Sequence, residues 1–119
     1  MKKTLLIHLR SGSMMNMDSN LAVKLAKAAL EKGHNVRIFG YGEAITVIKE
    51  GQDPRRFPNV GKELTEIAEK GATVVVCETC CVARGIHRGE EVKGSEIGSL
   101  TNALSKFVSE ADRMVTIAR

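Results

Sequence analysis

An α/β domain with a parallel sheet covered on both faces is the fold class that this sequence predicts. Three observations lead there. Apolar, β-branched stretches alternate with stretches of helical periodicity from one end of the chain to the other. Ala72-Thr73-Val74-Val75-Val76 is a continuous run of small and β-branched residues, the pattern of a strand buried on both faces. A length of 119 residues suffices for one core and not two, so residues 1–119 are expected to form a single domain.

Each element follows from its own residues. Leu5–Leu9 reads as the first strand, and Arg10–Met17 as a loop carrying Gly12 and three methionines. Asp18, Ser19 or Asn20 can cap a helix in which Leu21, Leu25, Ala28 and Ala29 recur at helical spacing until Gly33 ends it. Val36–Phe39 is the second strand. Glu43–Lys49 is a short helix ended by Gly51, and Gln52–Asn59, with Pro54 and Pro58, is an irregular loop. Val60, Leu64, Ile67 and Ala68 mark the next helix, closed by Gly71, and the cysteine-terminated strand follows. His87–Gly98 is polar and punctuated by glycine, with a short strand expected near Val92. Ser99 can cap a last helix carrying Leu100, Leu104, Phe107, Val108 and Ala111, and Met114–Ala118 closes the sheet.

Composition removes several classes of function. No apolar run approaches the roughly 18 residues of a membrane span. The first residues resemble a signal peptide only superficially, because His8 and Arg10 break a short apolar stretch and no small-residue cleavage site follows. A cytoplasmic location is therefore expected. The net charge of +4 is spread along the chain, and with one Tyr, three Phe and no Trp there is little on which bases could stack. The charge reads as solvated surface, and no nucleic-acid partner is expected.

All three cysteines stand in Cys77-Glu78-Thr79-Cys80-Cys81, directly after the buried run. Such a cluster is not a disulfide framework, which needs separated cysteines; in a reducing compartment it points to catalytic, redox or metal chemistry. Cys77 ends a strand where α/β proteins place their chemistry, in the crevice beyond the strands' carboxyl ends. Arg84, Arg88 and a protonated His87 are placed to add positive potential, which favours the nucleophilic thiolate. Cys80 makes C-x-x-C with Cys77, a spacing that can close a disulfide across a helical turn, although the aromatic and proline of thioredoxin-like sites are absent. Cys81 is expected to pack. No metal or cofactor is expected, since adjacent Cys80 and Cys81 make poor partners at one tetrahedral centre and no second C-x-x-C exists. Arg84 offers a planar fork for a carboxylate, a sulfur oxyanion or a phosphate, or else pairs with Glu78, Glu90 or Glu91. Gly85 ends the short helix with positive φ. His8 and His34 read as structural.

These residues resemble the DsrE/DsrF/TusD-like superfamily, most closely its small YchN-like branch. The resemblance rests on Val76-Cys77-Glu78-Thr79-Cys80, followed by Ala83-Arg84-Gly85-Ile86. Gly98-Ser99-Leu100, Ala111-Asp112-Arg113-Met114-Val115 and the Ala28–Val36 segment support it, so it spans essentially the whole chain. It implies a three-layer α/β/α flavodoxin-like fold with a five-stranded, mostly parallel sheet. It also implies assembly into trimers or hexamers of this chain or of related chains. Sulfur-relay members carry a persulfide on a cysteine eight residues before the glycine of an Arg-Gly pair; here Cys77 stands eight before Gly85. The resemblance thus assigns the relay role to Cys77 and matches Arg84 to the paired arginine. One departure stands out: TusD-like members have small apolar residues after the cysteine, whereas this chain has Glu78-Thr79-Cys80-Cys81 in the YchN-like manner.

The leading expectation is a sulfur-handling protein that exchanges sulfane sulfur with donor and acceptor proteins. Cys77 takes the sulfur as a persulfide, Arg84 holds the anion, and Cys80 receives the sulfur or releases it by forming a disulfide. Two alternatives stay open. One is a non-catalytic oligomeric module that binds a small anion or a protein, with the cysteines as packing. The other is a dithiol redox switch through Cys77 and Cys80. Met14, Met15 and Met17, near the strand ends, are candidates for a subunit contact or for local packing.

Overall fold

The computed structural model describes residues 1–118. Its strands are β1 (Thr4–Leu9), β2 (Asn35–Gly40), β3 (Thr73–Cys77), β4 (Ser95–Gly98) and β5 (Arg113–Ile117). Between them lie the helices α1 (Asp18–Glu31), α2 (Val60–Glu69), α3 (Glu78–Ala83) and α4 (Ser105–Glu110). The strands form one sheet in the order β4-β3-β2-β1-β5, and every pairing is parallel.

Strand chemistry dictates the layers. Along β2, Val36 and Ile38 point to one face and Arg37 and Phe39 to the other, as the two-residue period requires. The α1 and α2 helices pack on each other, with α1 also on β1 and β2, and cover the Val36/Ile38 face. On the other face Arg37 reaches α4, where it ion-pairs with Glu110 and lies 5.5 Å from the Phe107 ring centroid. The sheet is therefore sandwiched between helices. Leu6, Ile7, Ile38, Phe39, Ile45, Ile48 and Ile67 are wholly buried between the layers.

The structure corrects several expectations. The fourth strand is Ser95–Gly98, and the stretch near Val92 lies outside the main sheet. There Val92 N–H donates to the Ile48 carbonyl (2.7 Å), and Lys49 and Glu91 make an isolated antiparallel bridge. None of Asp18, Ser19 and Asn20 caps α1, which is preceded by Met17 without a side-chain cap. The Asp18 carboxylate instead turns inward to accept the Ser11 hydroxyl (2.7 Å), and Asn16 Oδ1 accepts the Asp18 N–H (2.8 Å). The Gly42–Ile48 helix is of the tighter 3₁₀ type. The last helix begins with a wide π turn over Leu100–Leu104, and Ser99 does cap it, accepting the Asn102 N–H at 3.2 Å. The sheet is wholly rather than mostly parallel.

Candidate functional site

Cys77 is the last residue of β3 and stands immediately before α3, with extended backbone (φ −67°, ψ 123°). The strand presents its side chain on the same face as Val75, the face that also carries Phe39 and α4. Gly98 of β4 is its register partner, and a β-carbon there would come within 2.9 Å of Val75 Cγ1. The short α3 then carries Cys80 one turn on, and Gly85 (φ +76°) turns the chain out of it.

A cavity of about 280 Å³ opens beside these residues, lined by Tyr41, Cys77, Glu78, Thr79, Cys80, Ser99, Leu100 and Thr101. Cys77 is only 2% exposed, and what it shows faces this cavity. Cys77 and Cys80 both line it. Cys80 is half-buried, its thiol interacts with the Cys77 sulfur, and its sulfur accepts the Gly42 N–H at 3.3 Å. Burial pushes the Cys80 thiol above its ordinary range, with the Cys77 contact acting in the same direction against the Gly42 hydrogen bond and Arg84. Cys80 is thus a proton-bearing neighbour, able to donate to an anion on the Cys77 sulfur.

Cys81 points away from the cavity and is 0% exposed. Burial, reinforced by charge on Cys77 and Cys80, pushes its thiol up to about 11. Its folded value lies above the ordinary thiol value, so the stability gained by keeping it neutral is complete below about pH 9 and is lost as pH rises toward 11. Denaturant midpoints measured from pH 8 to 11 are expected to fall less steeply in Cys81→Ala than in the native chain. Parallel curves would contradict this.

Arg84 does not meet the cavity as expected. Its guanidinium grips Glu43 through Nε (3.1 Å) and Nη2 (2.6 Å), while Nη1 donates to the Cys80 carbonyl (3.0 Å). The expected partners Glu78, Glu90 and Glu91 are otherwise engaged. Glu78 pairs with Arg88, Glu90 accepts the His87 N–H (2.6 Å), and Glu91 accepts the Gly89 N–H (2.7 Å). The hydrogen bond and charge of Arg84 hold the Glu43 carboxyl below the usual carboxylate range. Arg88 is also committed, since a second guanidinium nitrogen donates to the Ile97 carbonyl (3.1 Å). Among the described residues, no arginine, lysine or histidine lines the cavity. Arg84, Arg88 and His87 are not among the lining residues, and Arg84 ties α3 to the 3₁₀ segment.

Sequence reasoning missed Tyr41, Glu43 and Ser99. The signal was available in position: Tyr41 and Ser99 each follow the last residue of a strand beside β3. Strand order refines the location further. The order reverses between β1 and β5, whereas the cysteines sit at the end of β3, two strands away. His8 packs at 6.5 Å between ring centroids from both Phe39 and Tyr41, and burial together with Arg10 lowers its imidazole below the ordinary value. Among the described residues, no group of three or more His, Cys, Asp or Glu is arranged to hold a metal ion. Nor is any helix there long and apolar enough to cross a membrane.

Comparison with known proteins places this arrangement. An uncharacterized protein of Methanocaldococcus jannaschii is 35% identical over 95 residues, spanning 80% of this chain and 82% of its own length. YchN of Escherichia coli is 29% identical over 98 residues, spanning 82% and 83%. A protein of Allochromatium vinosum, named as a candidate sulfurtransferase, DsrE, is 33% identical over 107 residues, spanning 85% and 79%. The crystal structure of E. coli YchN matches the fold with a TM-score of 0.88 at 27% identity, covering 97% of this chain and 99% of that one. The sequence pattern of the DsrE/DsrF-like family extends over residues 3–117, and the chain belongs to that family.

Proposed function

We propose that this protein accepts sulfane sulfur on Cys77 and relays it as a persulfide. The observation that carries the reading is the meeting of two thiols, Cys77 and Cys80, on the wall of one cavity at the carboxyl edge of the sheet. Membership of the DsrE/DsrF-like family and the likeness to a protein named for sulfur transfer support it. In the first step the Cys77 thiolate attacks the outer sulfur of a donor. A bond forms from Sγ to that sulfur, the donor's S–S bond breaks, and the donor departs with the electron pair.

Cys80, held as a thiol, donates its proton toward the bound sulfur while the persulfide waits. An acceptor thiolate then takes the outer sulfur and Cys77 leaves as thiolate. Alternatively the Cys80 sulfur, once deprotonated, attacks Cys77 and expels hydrosulfide. The resulting disulfide then needs a cellular dithiol to reduce it. Intact mass after thiosulfate treatment is expected to rise by about 32 Da, one sulfur per chain, and to return on adding a thiol acceptor. An unchanged mass would reject the relay and favour an anion-binding or protein-binding module.

The chain is further read as a single folding unit, working in the cytoplasm as an oligomer, a trimer or hexamer of itself or of related chains. Exposed apolar side chains on the free edge strand β5 (Met114, Val115) and on α4 (Val108) support assembly. Light scattering coupled to size exclusion is expected to give a multiple of the 12.9 kDa chain, and a purely monomeric mass would count against it.

A further inference from the structure

The cavity lacks the arginine that sequence reasoning gave it, yet a different one stands within reach. The strand registers align Leu9, Gly40, Val76 and Ile97 in one row across the sheet. The next residues, Arg10, Tyr41, Cys77 and Gly98, continue it. Arg10 N–H bonds the Ile117 carbonyl (2.9 Å), Tyr41 N–H the Leu9 carbonyl (3.0 Å), and Cys77 pairs with Gly98. Side chains in one row of a parallel sheet share a face, so Arg10, Tyr41 and Cys77 project side by side. Arg10 and Cys77 are two strands apart, roughly 10 Å between backbones, with the Tyr41 ring between them.

The Arg10 guanidinium carbon lies 5.9 Å from the Tyr41 ring centroid, and Tyr41 itself lines the cysteine cavity. Arg10 is exposed, and among the described residues no carboxylate pairs with it. It also stands at the β1 and β5 ends, where the strand order reverses and α/β sheets take their ligands. Arg84 and Arg88, by contrast, are bound to Glu43 and Glu78. The one carboxylate on the cavity wall, Glu78, is neutralised by Arg88, so it does not oppose an anion arriving from the Arg10 side.

We infer that Arg10 is the anion-recognising residue of this site, drawing a small anionic sulfur donor of the thiosulfate class across Tyr41 to Cys77. The inference rests on the relay reading for its ligand class, but its geometry can be tested without sulfur transfer. Iodoacetate and iodoacetamide alkylate the same thiol and differ in charge. Their rates at Cys77, followed by peptide mass, therefore report the field at the sulfur. Arg10→Gln is expected to slow iodoacetate about tenfold, the scale of one charge-assisted hydrogen bond, and to leave the iodoacetamide rate unchanged. Arg10→Lys is expected to restore much of the loss. Equal slowing of both reagents would make Arg10 a packing residue and overturn the inference. Unchanged rates with both, or a native Cys77 inert to both, would overturn it too. Thiosulfate loading of the same proteins separates the two claims: charge selectivity without any sulfur uptake would sink the relay and leave Arg10 as an anion site.

Discussion

Cys77→Ser is expected to fold normally and to lose sulfur acquisition completely. Serine is nearly isosteric, and its side chain sits at a strand end beside an open cavity, so the backbone has no reason to move. The hydroxyl cannot ionise near neutral pH and cannot form a persulfide. After treatment with thiosulfate, cyanide should release about one thiocyanate per native chain and none above background from the variant. Cys80→Ser should still load and should retain its sulfur longer if disulfide formation is the route of release. Cys81→Ser should load like the native chain, because Cys81 faces the core rather than the cavity. A Cys77→Ser protein that still yields thiocyanate would move the chemistry elsewhere.

Phe39→Ala is expected to cause a large loss of stability. Phe39 is 0% exposed in the central strand β2, between β1 and β3, and its ring packs beside His8. Removing it deletes buried apolar area and leaves a void that the surrounding strands cannot close. The cost expected is about 3–5 kcal/mol, read as a lowered urea midpoint with unchanged slope. The site should suffer too, since Phe39 holds up the row below Tyr41 and Cys77. A loss below about 1 kcal/mol would mean that the face carrying α4 is far more pliable than its packing indicates.

Much of this fold is written locally in the chain. The first three strands are legible because Leu5–Ile7 and Val74–Val76 are continuous apolar runs, and the run in the second strand is broken only by Arg37. Glycines at the helix ends mark the stops. The fourth strand is not legible, because Ser95-Glu96-Ile97-Gly98 offers one large apolar residue and lies at a sheet edge, with Glu96 exposed. Val92 is apolar and misleads, because its N–H goes to the Ile48 carbonyl rather than to a strand of the sheet. The α1 start misleads for a similar reason, since Ser11 diverts the Asp18 carboxylate from capping.

The site divides the same way. A strand that runs into C-x-x-C points to Cys77 and Cys80 from the sequence, and both line one cavity. Partners of the charged groups are set by distant segments. Glu43 lies 41 residues from Arg84 in sequence, and nothing local reveals that it claims that guanidinium. Arg10 is invisible for the converse reason: its approach to Tyr41 exists only because β1 and β2 end in the same row.

The most direct test of the central claim is to find where the sulfur resides. Native protein exposed to thiosulfate, trapped with an alkylating agent and digested should carry one extra sulfur on the peptide holding Cys77–Cys81. Fragmentation should assign it to Cys77. Assignment of the sulfur to Cys80 or Cys81, with Cys77 recovered as a simple alkylated thiol, would contradict the account.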